Sequence, residues 1–298
     1  MKICRFLIIC GLMALAGQAP AKADELGQAS ASKPDASWPF FAFCFAGHDA
    51  AKRTLPEQAE MLKKLGYAGS GHLWPAKADQ GAETLAKAGL RLFQVYIRVD
   101  LAKSPSYDED AVAAILPALN PHATQLVLLI KGAERSDRRL DDQAVAVIRR
   151  IADKARVHHV KIVLYPHTGD WLETSSDAVS LAKKVNLPGE VGVMFNLCHW
   201  MKADPNRDLQ AVLREARPWL MAVSLSGSDA PEEVRAGKGN WIQPLGQGSY
   251  DIGEFLDALR SIQYTGPVGL QCYGIRGDAR RHLEQSMEAW KRLTISHD

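Results

Sequence analysis

Apolar residues along the chain follow two periods that take turns. Eight short runs are continuously apolar or alternate every second residue: 38–45, 67–69, 90–99, 124–130, 160–165, 191–196, 220–226 and 268–273. Such runs, flanked by glycine, proline and short polar segments, predict strands, and the continuous ones predict strands covered on both faces. Between them the period lengthens to that of a helix. Leu55, Ala59, Leu62 and Leu65 share one helical face behind a Thr54/Glu57 capping box. A second helix is predicted over 75–88, and Ser106 with Glu109 is the expected cap of a third, bearing Val112, Ile115, Leu116 and Leu119. Further helices are expected over 141–156, from 174 (Ala178, Leu181, Ala182, Val185), from Leu209 to Ala216, after Asp251, and through Leu283, Met287, Trp290 and Leu293. Eight strand–helix units without a linker predict an α/β chain folded as one (β/α)8 TIM barrel over residues 38–298. The first strand is not followed by a glycine-rich phosphate loop, which argues against an open doubly wound sheet.

Side chains of a strand alternate between faces, so the pattern also says what points inward. Val163, Tyr165 and His167 share one parity, as do Met194 with Asn196, Ser224 with Ser226, and Gly269 with Gln271 and Tyr273. Gln94, Tyr96 and Arg98 are the polar alternates of the third strand, whereas Met221, Val223 and Leu225 are expected to face helices. Polar inward groups thus gather at the C-terminal ends of several strands, where parallel barrels build their sites. The stretch 160–204 is the densest case, one strand ending in Tyr165-Pro166-His167 and the next running through Asn196 to His199-Trp200.

Composition changes the picture at the N-terminus. A basic start (Lys2, Arg5), an apolar run over 6–16 and Ala21-Lys22-Ala23 read as a secretory signal over residues 1–23, which predicts export to the periplasm or medium. Residues 24–37 read as a disordered leader. Removing Lys2, Arg5 and Lys22 turns the formal charge of +2 into −1, so no basic surface argues for nucleic acid, and no second apolar span argues for a membrane protein. Cys44, Cys198 and Cys272 remain, without CxxC spacing, and read as buried thiols.

The stretches LPEQAEMLKKLGYAGS, MFNLCH and IQPLGQGSYDIGEFLDALRSIQYTGPVGLQCY resemble the sugar phosphate isomerase/epimerase superfamily, the xylose isomerase-like TIM barrels. The resemblance implies a divalent metal held by Glu, Asp, His and Glu on strands five to eight. Those positions align with Tyr165, Asn196, Ser224 and Gln271, none a strong ligand. His167 and His199 stand close by in sequence and are the candidate ligands of a rebuilt site, which would suit zinc or manganese better than magnesium.

The implied reaction is proton abstraction beside a carbonyl of a sugar or keto-sugar derivative, and the expected partner is a small-molecule sugar. His167, His199 and Glu173 are the candidate catalytic groups, with Asp170 as an alternative base. Glu173 also fits as a cap of the following helix. Tyr165, Asn196, Ser224, Gln271, Trp241 and Tyr96 are the candidate substrate-binding residues, and Trp74, Trp171, Trp200 and Trp241 fall in loops at the same barrel end. Alternative readings are a lyase acting on keto-glycosides and a non-catalytic carbohydrate-binding barrel.

Overall fold

The computed structural model describes residues 38–132, 134–204 and 206–295. The signal and leader expected over 1–37 lie outside the described residues.

Eight parallel strands close into a barrel in sequence order: β1 (Phe40–Phe43), β2 (Gly69–Leu73), β3 (Arg91–Asp100), β4 (Gln125–Lys131), β5 (Lys161–Leu164), β6 (Val191–Asn196), β7 (Leu220–Leu225) and β8 (Val268–Gln271). Closure comes from β1 pairing with β8, Phe40 opposite Val268 through Phe43 opposite Gln271, so the open-sheet alternative is excluded. The helices are α1 (Leu55–Leu65), α2 (Ala78–Lys87), α3 (Glu109–Leu119), α4 (Asp141–Arg156), α5 (Ser175–Val185), α6 (Leu197–Ala203), α7 (Leu209–Ala216), α8 (Pro231–Arg235), α9 (Ile252–Ser261) and α10 (Ala279–Thr294). No helix of the described residues is long and apolar enough to cross a membrane.

The strand period sorts the core into two parts. Ile162, Leu164, Val193, Phe195, Val223 and Leu225 pack outward with the helices. Phe41, Phe43, Phe93, Tyr96, Val127, Val163, Tyr165, Met194 and Ala222 fill the barrel. Phe41 and Phe93 stack at 4.6 Å across the interior. The neighbouring strands leave room for these rings: a Cβ on Gly269 would lie 2.8 Å from Phe41 Cζ, and one on Gly71 would lie 2.9 Å from Phe43 Cβ.

Several expectations shift for physical reasons. The second strand starts at Gly69, not Tyr67, because Tyr67 is drawn outward, stacking on Phe40 and donating its hydroxyl to Leu283 O at 2.8 Å. Met221 does not simply face helices. The register jumps from Val193–Leu220 to Met194–Ala222, so Met221 is the extra residue of a bulge and packs against the interior cluster. Tyr273 does not face in, since β8 ends at Gln271 and Tyr273 is 61% exposed beside the His48 ring. The cap of α3 is Asp108, accepting from Ala111 N, rather than Ser106 with Glu109. The sixth strand stops at Asn196, and 197–203 coil into α6. Cys198 and Cys272 are buried, Cys44 is half-buried, and none is in a disulfide.

Candidate active site

The inward polar residues of β6, β7 and β8 and the residue after β5 meet at one point. Asn196 Nδ2 lies 2.9 Å from Tyr165 Oη, 2.7 Å from Ser224 Oγ and 3.0 Å from Gln271 Oε1. The amide orientation is decided by its other end. Asn196 Oδ1 accepts from the backbone N–H of His199 at 2.9 Å, and a backbone N–H can only donate, so oxygen faces α6 and nitrogen faces the three acceptors. Asn196 is therefore both the N-cap of α6 and the hub of a neutral tetrad. All four residues are buried, and burial holds the Tyr165 hydroxyl well above its ordinary pKa, a neutral phenol. The Tyr165 ring meets Tyr96 edge-on, and Tyr96 Oη donates to Gln94 Oε1 at 2.6 Å, which fixes Tyr96 as part of the barrel filling below.

The tetrad does not fit a divalent cation. A cation needs several oxygen or imidazole donors with negative charge to balance it. Here amide hydrogens point into the centre, and the oxygens around it already accept from them. Among the described residues, no cluster of three or more His, Cys, Asp or Glu is arranged to hold a metal.

Just above the tetrad the chemistry differs. His167 follows β5 and His199 sits in the first turn of α6, and their rings lie with centroids 4.1 Å apart. Both rings also meet Tyr165 edge-on, at 5.8 and 5.6 Å. The backbone N–H of Thr168 donates to His199 Nδ1 at 3.3 Å, so Nδ1 carries no proton and Nε2 does. His199 is only 7% exposed, and its Nε2–H is buried without a partner. His167 Nδ1 is likewise buried and unpartnered, 3.5 Å from Asp170 Oδ2, an ion-pair separation without hydrogen-bond geometry. Burial pushes His199 well below its ordinary pKa, helped by His167 and Lys202. Burial lowers His167 too, against the pull of Asp170. Asp170 is itself raised by burial, while His167, Lys131 and Arg98 oppose the rise. Both imidazoles are therefore neutral at ordinary pH.

Glu173 is placed away from the pair. Its Oε1 accepts from Gly169 N at 2.9 Å and meets Arg135 Nη1 at 3.2 Å. It does not cap α5, because Thr174 and Asp177 form that capping box. Glu173 thus braces the turn that carries His167 and Asp170. Of the four loop tryptophans, Trp171 and Trp200 are buried, and Trp171 donates to Asp137 O, so these two are packing. Trp74 is 38% exposed with the Arg98 guanidinium 4.7 Å from its ring centre. Trp241 is half-buried under Lys202 and Arg235. Sequence reasoning overlooked Lys131 and Lys202. Lys131 Nζ, at the end of β4, stands 3.8 Å from Asp170 Oδ1. Their signal was a lysine within a residue or two of a polar strand end, which is weak in a chain with many lysines.

The shape has counterparts among solved structures, at identities that speak to fold alone. The apo 3-keto-D-glucoside 4-epimerase of E. coli superposes with a TM-score of 0.67 at 15% identity, over 87% of this chain and 100% of that one. A D-allulose 3-epimerase from Methylomonas sp. gives 0.66 at 16% identity, over 86% and 98%. The IOLI protein, solved with a zinc atom, gives 0.67 at 15% identity, over 86% and 98%. No curated protein matches the chain in sequence. A family described as the xylose isomerase-like TIM barrel matches residues 59–293, most of the chain, and the protein belongs to that family.

Proposed function

We propose that the protein is a sugar isomerase or epimerase-like enzyme that removes a proton beside the carbonyl of a sugar or keto-sugar derivative. The observation that carries this reading is the histidine pair: two neutral imidazoles in ring contact, each with a buried, unpartnered ring nitrogen, at the end of the barrel where parallel strands build sites. A neutral imidazole is the base such chemistry needs near neutral pH. His167 takes the proton from the carbon, and Asp170 beside it supports the imidazolium that forms. His199 donates from Nε2 to the carbonyl oxygen as it gains negative charge, and the positive ends of Lys131 and Lys202 favour the same charge. Return of the proton to the opposite face, or to the neighbouring carbon, completes an epimerisation or an isomerisation.

Glu173 and Asn196 act here as positioning residues, one bracing the turn of His167, the other holding the helix of His199. Tyr165, Ser224 and Gln271 form the polar floor, with Tyr96 beneath it. Zinc or manganese has no step in this scheme, because the tetrad does not suit a cation. The neighbours titled as sugar epimerases support the class, and the signal-like segment over 1–23 supports action outside the cytoplasm.

A second reading has its own observation. The tetrad satisfies its own amide donors, as the floor of a non-catalytic carbohydrate-binding barrel would. Incubation with a panel of keto sugars in deuterated water decides between them. Incorporation of deuterium beside the carbonyl of at least one sugar is expected, while tight binding without exchange by any member would establish the binding-protein reading.

A further inference from the structure

Beside the histidine pair lies a cavity of about 900 Å³ between the ends of β2, β3 and β4 and helix α3. That volume is near the upper end of ordinary ligand cavities, roughly 300–1,000 Å³. Lys131 lines it and also faces Asp170, so the cavity and the histidine pair share a wall. Ile97, Ile115 and Tyr107 give it an apolar side. At its rim Trp74 stands in the left-handed region at φ 69°, a conformation that is strained for a bulky residue and is retained mostly where function requires it. Arg98 stacks over that indole and lines the same space.

The charges of the lining balance. Arg98, Lys103 and Lys131 face Asp79, Asp100 and Asp108, and Lys103 is paired with Asp100 at 3.4 Å. A balanced polar rim over an apolar wall suits a neutral ring with one apolar face better than a phosphate or a carboxylate. We infer that this cavity is a subsite for the second ring of a glycoside, joined through its glycosidic oxygen to the sugar that lies over the histidines. The inference rests on the isomerase reading for the identity of that first sugar. Trp74 and Arg98 are specificity-determining residues in this arrangement, and they touch no reacting atom.

The test compares a methyl keto-glucoside, a phenyl keto-glucoside and a keto-disaccharide by deuterium exchange in the wild type, Trp74→Ala and Ala111→Trp, the last adding bulk to the cavity from the first turn of α3. Both variants are expected to raise KM for the disaccharide at least tenfold and to leave the methyl glucoside within twofold. A phenyl glucoside that follows the disaccharide identifies any neutral ring as the ligand, and one that follows the methyl glucoside identifies a sugar ring. Equal changes for the methyl glucoside and the disaccharide, or no change for the disaccharide, would overturn the subsite. If nothing exchanges in the wild type, the isomerase reading falls and calorimetric titration with the unoxidised disaccharide still decides the subsite. Affinity at least tenfold weaker in folded Trp74→Ala supports it, and equal affinity overturns it.

Discussion

Two polar groups share the ends of β5 and β6, and they are built on opposite principles. The tetrad of Tyr165, Asn196, Ser224 and Gln271 satisfies its amide hub completely, with Asn196 spending both ends of its side chain on neighbours. The pair of His167 and His199, a few ångströms away, leaves a ring nitrogen on each residue without a partner. A buried polar group without a hydrogen bond costs free energy, so a folded protein keeps one where a ligand or water supplies the missing bond. The first group therefore holds the barrel end together, and the second waits for something to bind. Polarity alone would have treated the two as one site.

Mutation should separate them. The largest effect is expected from His167→Ala, which removes the proposed base and should slow deuterium exchange by about 10²- to 10⁴-fold while leaving the thermal midpoint nearly unchanged. A variant that exchanges as fast as wild type would move the base elsewhere. Asn196→Ala should do the reverse in kind. It removes the cap of α6 and strands the acceptors of the tetrad, and a loss of about 2–4 kcal/mol in denaturant unfolding is expected. A loss below 1 kcal/mol would show that the tetrad is not the structural member of the two.

The smallest effect is on pH dependence. His167, His199 and His282 are all held below their ordinary pKa, first by burial. The unfolded chain takes up protons near pH 6.5, before the folded one does, so these groups contribute stability above about pH 6.5 that is lost as the pH falls. Asp170 has the opposite sign, because its raised pKa favours the fold at low pH and that contribution fades as the pH rises through the folded value. Three histidines against one carboxylate predict a lower unfolding midpoint at pH 5.5 than at pH 7.5, with His199→Gln flattening the difference. An unchanged slope in that variant would mean that His199 titrates normally and is not the neutral donor described above.

Much of this was legible in the residues. The period of two in the strands placed Tyr165, Asn196, Ser224 and Gln271 on the inward face, because a strand offers each side chain one of two directions and the helices claim the apolar one. The period of 3.6 between strands, repeated eight times, called for closure. What the pattern did not carry was the end of each element. Leu197-Cys198-His199-Trp200 reads as more strand, since those residues are as apolar as the run before them, but Asn196 caps a helix there and turns His199 back over the barrel. Glu173 looked like a cap because it precedes a helix, yet Thr174 and Asp177 already satisfy that helix end.

The sequence by itself determined the number and order of the units, the closed barrel and the end of it that bears polar groups, because those follow from local periodicity and strand parity. Only the tertiary structure decided which polar groups satisfy one another and which stay open. Asn196 meets Ser224 and Gln271 from 28 and 75 residues away, and Lys131 meets Asp170 across two strands, contacts that exist only once the barrel has closed. Hydrogen bonding depends on tenths of an ångström between atoms distant in the chain, and no periodicity carries that distance.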